Sequence, residues 1–126
     1  QKDLVKKLET ELRAWGFSNI ECIWGDIERK NGTKIADNSM DAVIVSNVLF
    51  QVEDKLGLVD ESRRILKRSG KLLLIDWANS FGSEGPKLNN LITEDKAKEL
   101  FEKRGFKLDE RISVGPNHYG IIFKYE

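Results

Sequence analysis

The sequence holds one cysteine and one histidine, Cys22 and His118. It can therefore form no internal disulfide, and it cannot assemble any common structural zinc site from its own residues. Long apolar runs are absent too. The longest, Ala42 to Val45 and Leu72 to Ile75, are far too short to span a bilayer as a helix. Net charge is also missing, because 21 Lys and Arg balance 21 Asp and Glu. That excludes a nucleic acid or an anionic membrane as a partner recruited by bulk charge, and leaves only a local patch open. No signal-peptide pattern opens the chain, and the expected compartment is cytoplasmic. Cys22 lies in a strand-like stretch and is expected to act as a small buried hydrophobe.

What remains is the composition of a single globular domain: 126 residues, 40% hydrophobic and 33% charged. Leu4, Val5, Leu8, Leu12 and Trp15 form one helical stripe, stopped by Gly16 with Phe17 folding back. No Met precedes this helix and the chain opens almost inside it, so the N-terminus is expected to be cut. A strand is expected over 19–27, with Ile20, Cys22 and Trp24 on one face, and Trp15 and Trp24 are expected in the core. After a polar stretch comes "DAVIVSNVLFQVED", Asp41 to Asp54, whose β-branched half suits a strand covered on both faces. A second helix is expected from about Asp54 to Arg68, with Asp60 and Arg64 paired and Ser69-Gly70 as its stop.

"KLLLID", residues 71–76, reads as a buried strand, followed by a loop punctuated by Gly82, Gly85 and Pro86. Thr93 can cap a third helix carrying Ala97, Leu100 and Phe101 inward and ending at Gly105. Strands over 107–114 and 119–125, joined by "GPNH", form an antiparallel hairpin. The predicted order is α-β-β-α-β-α-β-β. It describes an α/β, Rossmann-like, mostly parallel sheet with a C-terminal antiparallel hairpin.

In such sheets ligands bind beyond the carboxyl ends of the strands. That rule selects Gly25-Asp26-Ile27, Ser46-Asn47, Asp76-Trp77 and the turn leading through Asn117 and His118 to Tyr119. His118 is the one side chain whose ordinary pKa lies near neutrality, and it is the candidate catalytic residue, as a general base. Each position also has a plainer role: Asp26 as a turn cap, Ser46-Asn47 as a strand leaving its sheet, Trp77 as a cover and His118 as a solvated turn residue.

The ordered set Gly25-Asp26, Asn38-Ser39-Met40-Asp41, Ser46 to Leu49 and Arg64-Ile65-Leu66-Lys67-Arg68-Ser69-Gly70 resembles the middle of a class I S-adenosylmethionine-dependent methyltransferase. The closest likeness is to the small-molecule branch that includes quinone-biosynthesis enzymes. "GPNHYGIIFKYE" resembles the closing hairpin of some members. The resemblance implies S-adenosylmethionine as cofactor and a small-molecule methyl acceptor. It implies that Asp26 accepts from the adenine amino group with the Gly25 and Ile27 backbone beside it, and that Ser46 and Asn47 lie near the methionine portion. Asp76, Trp77, Asn117 and Tyr119 would line the acceptor side. "SNVL" is not the Asn-Pro-Pro-aromatic signature of nucleobase methylation, which argues against a nucleic-acid substrate.

The chain departs from the family in having no Gly-x-Gly anywhere; Gly82-Ser83-Glu84-Gly85 follows the wrong strand. The first βαβ unit of the family is missing, so residues 1–126 are expected to be a single partial methyltransferase domain. In the family's strand order, 3-2-1-4-5-7-6, the two absent strands stand between the 19–27 strand and the 42–48 strand. The bared edge of the latter invites pairing with the 19–27 strand, with a second copy by homodimerisation or strand exchange, or with upstream residues. Alternatively the chain is a non-catalytic, degenerate module of this fold that serves binding or dimerisation.

Overall fold

The computed structural model describes residues 1–80 and 85–125. The predicted punctuator Gly82 lies outside the described residues. Among these residues three α-helices, α1 (Lys2–Ala14), α2 (Lys55–Ile65) and α3 (Glu94–Glu102), accompany four strands. These are β1 (Met40–Ser46), β2 (Leu66–Trp77), β3 (Phe106–Ile112) and β4 (His118–Tyr125), in the sheet order β1-β2-β4-β3.

The α/β sheet and its terminal hairpin follow the sequence reading. β1 pairs parallel with β2, which requires a crossover, and α2 supplies it. β4 runs antiparallel to both β2 and β3. Parallel pairing is therefore confined to one interface rather than dominating the sheet. The reason is that the expected strand over 19–27 does not form. Its peptide groups close turns instead: Asp26 N–H donates to Gly32 O at 2.9 Å, and Gly32 N–H to Arg29 O at 2.8 Å. A backbone whose hydrogen bonds are spent locally cannot serve a ladder. One edge of β1 consequently has no neighbour among the described residues.

Alternation along β2 and β4 divides the sheet into two faces. Leu72, Leu74, Ile121 and Phe123 are fully buried on the side covered by Leu58 and Val59 of α2 and by Ala97 and Phe101 of α3. Across the other face Ile44, Leu73 and Ile122 are register partners. Ile44 there is 67% exposed.

Five further expectations need correction. α2 ends at Ile65 rather than Arg68, because Leu66 is fully buried and already pairs with Met40. Ser69, with φ 66°, bends β2 rather than ending a helix. Trp15 and Trp24 are exposed rather than core, since the strand that would have turned Trp24 inward is absent. The Trp24 ring lies between the Lys2 and Lys34 ammonium groups, 4.5 and 4.7 Å from its centroid, a favourable surface setting for an indole. For the same reason Cys22 is half-buried and not a core residue. Asp60 pairs with Arg104 of the chain segment after α3, while Arg64 turns to Glu61 and Asp37.

α3 is capped as its sequence predicts, with Thr93 Oγ1 accepting from Lys96 N–H at 3.2 Å and Glu94 and Asp95 in the first turn. Thr93→Ala is expected to destabilise the domain by about 1 kcal/mol. An unchanged urea midpoint at constant m-value would refute that role for the hydroxyl.

Candidate functional site

Because β1 and β2 are parallel and β4 is antiparallel to them, the ends of β1 and β2 and the start of β4 share one rim. Trp77 is paired with His118 and Asp76 with Tyr119. At β1 the ladder runs one residue past the strand, with Asn47 N–H donating to Ile75 O at 2.9 Å. Asn47 then adopts φ 56°, a left-handed conformation that Asn tolerates, and turns the chain off the sheet into a 3₁₀ turn, Leu49–Gln51.

That turn is held from below. Asp76 is fully buried. Its Oδ2 accepts from Phe50 N–H at 3.2 Å and its Oδ1 from Trp77 N–H at 2.8 Å. Burial pushes its carboxyl pKa up, and these two bonds together with the nearby Lys55 and His118 oppose the rise. The Lys55 ammonium donates to three carbonyls of the turn, Leu49 O (2.8 Å), Phe50 O (3.3 Å) and Val52 O (2.8 Å). Tyr119 is buried and donates its hydroxyl to Ile92 O at 2.9 Å, and burial raises its pKa.

The upper layer of the rim is Trp77 against His118, with ring centroids 4.2 Å apart and planes tilted by 37°. Asn117 O accepts from Ala78 N–H at 2.7 Å and fastens the hairpin turn to the end of β2. Among the described residues two buried polar atoms on this rim have no partner, Asn47 Oδ1 and His118 Nε2. Orphaned buried polar groups are costly, and a rim that keeps an amide oxygen and an imidazole nitrogen unpaired has hydrogen-bonding capacity left for a ligand.

Gly25, Asp26 and Ile27 sit in the turn that replaces the expected strand. The close pass of that turn needs glycine at position 25, where a Cβ would lie 2.3 Å from Gly32 O. The Asp26 carboxylate accepts from Glu28 N–H at 3.0 Å and pairs with Arg29 at 3.2 Å, its side chain half exposed. Ile27 reaches a cavity of about 250 Å³ beside the open edge of β1, together with Val43, Val45, Val48 and Leu58. The structure thus brings Ser46-Asn47, Asp76-Trp77 and Asn117 to Tyr119 onto one rim. Of the trio at 25–27, Ile27 lines the cavity that Val48 also lines, while Gly25 and Asp26 stay in their own turn and are not brought to the rim.

Sequence reasoning missed Glu61, on the wall of that cavity. Leu58, Glu61, Ser62 and Ile65 fall at i, i+3, i+4 and i+7, and all four are buried. That spacing was the available signal: an acid in phase with an apolar stripe. Glu61 accepts from Asn31 N–H, Thr33 N–H, Thr33 Oγ1 and the Arg64 guanidinium, at 2.6 to 3.0 Å. Arg64 also bonds Asp37. This cluster ties the 31–37 segment, and the Gly32 that holds Asp26, to α2.

The profile of the methyltransferase-domain family matches residues 1–74, more than half of the chain. The chain belongs to that family. Its fold is that of class I S-adenosylmethionine-dependent methyltransferases, and the family's cofactor is S-adenosylmethionine. A crystal structure of a SAM-dependent methyltransferase from Aquifex aeolicus superimposes with a TM-score of 0.85 at 20% identity, covering 98% of this chain and 64% of that one. A type 11 methyltransferase structure from Sulfolobus solfataricus is 30% identical with a TM-score of 0.65, covering 74% and 54%. Human arsenite methyltransferase is 34% identical over 73 residues, 56% of this chain and 20% of that protein. The chain spans less than two-thirds of the length of each of these relatives. Among the described residues no helix is long and apolar enough to cross a membrane, and no cluster of His, Cys, Asp and Glu could hold a metal ion.

Proposed function

We propose that residues 1–126 form the C-terminal two-thirds of a cytoplasmic methyltransferase domain, of the quinone-biosynthesis-like branch, that in intact form methylates a small molecule. The observation that carries this is the open edge of β1. Among the described residues, an apolar parallel strand with a neighbour on one side only stands next to a rim that keeps two orphaned polar atoms.

The residues present fit part of the cofactor. The half-exposed Asp26 carboxylate suits the adenine amino group, flanked by the Gly25 and Ile27 backbone. Asn47 Oδ1 is an acceptor in want of a donor, and Ser46 and Asn47 border the space for the methionine portion. No glycine-rich turn for close backbone approach exists in the chain. When bound, S-adenosylmethionine supplies an electrophilic methyl on a sulfonium. Alignment and exclusion of water then do most of the work. Trp77 and His118 close the acceptor side, with Asn117 fixing the turn that carries His118. His118 Nε2 accepts a hydroxyl proton or orients the hydroxyl. Asp76 and Tyr119 support that side from beneath. The acceptor named for the human relative, arsenite, does not transfer through this chain's own chemistry, because a thiophilic centre calls for sulfur ligands and Cys22 is the one thiol.

Calorimetric titration of the 126-residue chain with S-adenosylmethionine or S-adenosylhomocysteine is expected to give a Kd weaker than about 1 mM, less than roughly 4 kcal/mol of binding. Saturable micromolar binding would overturn the proposal that a cofactor-binding unit lies outside these residues. The coding sequence ahead of Gln1 gives a second check. A strand followed by an acid-x-Gly-x-Gly-x-Gly run supports the enzyme, and a start codon there supports the non-catalytic module.

A further inference from the structure

Asn31 is the one asparagine of the chain followed by glycine. It is exposed, its side chain makes no hydrogen bond among the described residues, and its backbone stands at φ 64°. Asparagine tolerates that left-handed conformation. The glycine after it is fixed by the fold, because a Cβ at position 32 would lie 1.9 Å from Asp26 O and 2.9 Å from Arg29 O. No side chain therefore shields the Gly32 nitrogen. An unshielded backbone nitrogen next to an asparagine amide is the arrangement in which asparagine reacts with its own chain, and this turn admits no other residue there.

The chemistry is intramolecular. The Gly32 nitrogen gives up its proton and bonds to Asn31 Cγ, the Cγ–Nδ2 bond breaks, and the side-chain nitrogen leaves as ammonia. A five-membered succinimide then joins the two residues. Water adds to one of its two carbonyls and reopens the ring. Attack at the backbone carbonyl leaves the chain running through the side chain, as isoaspartate, and attack at Cγ leaves aspartate. Asparagine and water have become an acid and ammonia, with no other reactant. In the folded chain the ring closure is held back. Gly32 N–H donates to Arg29 O at 2.8 Å, and Gly32 O accepts from Asp26 N–H at 2.9 Å. On either side, Asn31 N–H and Thr33 N–H donate to the two carboxylate oxygens of Glu61, each at 3.0 Å. The peptide that has to turn is pinned at its own nitrogen and at both neighbours.

We propose that Asn31 is a site of spontaneous deamidation whose rate is set by Glu61. The turn has to come off the Glu61 carboxylate before the Gly32 nitrogen can reach Cγ. Isoaspartate then inserts one more backbone carbon into a turn that has no room for a glycine Cβ, and it adds a negative charge beside Glu61 and Asp26. The modified chain cannot take the turn back, and the 31–37 segment stays free of α2. The modification needs no cofactor, so it stands or falls independently of the methyltransferase reading.

The test is peptide mapping by mass spectrometry of the chain aged in mildly alkaline buffer, folded and in concentrated urea, with fragmentation that separates isoaspartate from aspartate. In urea, Asn31 is expected to be the first asparagine converted. In the folded parent its conversion should be at least about 10-fold slower, a ratio set by the free energy of opening the turn. Glu61→Gln removes the charge that holds the two N–H groups and should speed conversion of the folded chain at least about 5-fold. Thr33→Val is the milder release, since it deletes the hydroxyl that donates to Glu61 at 2.6 Å. It should speed conversion at least about 2-fold, with the far-ultraviolet circular dichroism unchanged. The aged chain, separated by ion exchange, should unfold at lower urea than the parent. Equal rates folded and in urea, a folded rate that neither substitution moves, no conversion of Asn31 in urea, or an aged chain with the parent's urea midpoint would each overturn the proposal.

Discussion

Glu61→Ala is expected to destabilise the domain by about 3–5 kcal/mol, a large share of the total stability of a chain this size. The side chain is 2% exposed and accepts five hydrogen bonds, two from backbone, one from a hydroxyl and two from the Arg64 guanidinium. Truncation leaves two peptide N–H groups without acceptors and a guanidinium, itself only 12% exposed, with Asp37 alone as counter-charge. It also frees the 31–37 segment from α2. The carboxyl is held at about 2, against an ordinary 4.5, first by Arg64 and then by Thr33 and Asn31, in opposition to burial. A depressed carboxylate stabilises the fold fully above its unfolded pKa and loses that contribution as pH falls through the folded one. The parent should therefore lose stability between about pH 4.5 and 2, and Glu61→Gln should lack that component. Urea unfolding at pH 7 tests the first claim, and a loss below 1 kcal/mol for the alanine variant would sink it. Parallel pH profiles for parent and glutamine variant would sink the second.

Glu61 also shows where sequence reading stops. α3 was legible from end to end because its signals are local: a Thr93 cap, acids in the first turn and Gly105 at φ 87° after the last. β2 and β4 were legible because an apolar run or alternation is enough to name a buried strand. The stretch at 19–27 was not, although it has strand composition. Being a strand depends on a partner, and the partner lies elsewhere in the chain or outside it. Trp15 and Trp24 failed with it, since a tryptophan is core only if something covers it. The rim was found by topology: parallel strands point their carboxyl ends one way, and a hairpin returns to the same side. Its chemistry was less visible. No sequence pattern says that Asp76 accepts from Phe50, or that Lys55 holds three carbonyls of the same turn, because those contacts are made after the chain has folded.

The other large effect is expected at the centre of the sheet, where Phe123→Ala should lower stability by about 3–5 kcal/mol. Phe123 is fully buried on β4, in register with Leu72 on one side and Leu108 on the other. Its ring stacks on Phe101 of α3 at 4.8 Å and 13°, and meets the edge of Phe106 at 6.2 Å. Phe101 and Phe106 meet edge-on at 5.4 Å, so three rings close on one another. Removing the middle ring leaves a void that backbone on three strands cannot collapse into, and it loses pair contacts each worth about 0.5–1.5 kcal/mol beyond area. Phe123→Leu refills most of the volume and should cost well under half as much. In a Phe101→Ala, Phe123→Ala double-mutant cycle the two losses should fall short of additivity by at least about 0.5 kcal/mol, because the second truncation enlarges a void the first has opened. Thermal unfolding followed in the near and far ultraviolet would test this. Both signals should be lost together, since β4 fills the core with Phe123 and holds His118 over Trp77 with its first residue. Early loss of the near-ultraviolet signal alone would mean that the rim melts separately from the core. That result would break the inference that one cooperative sheet positions the candidate site.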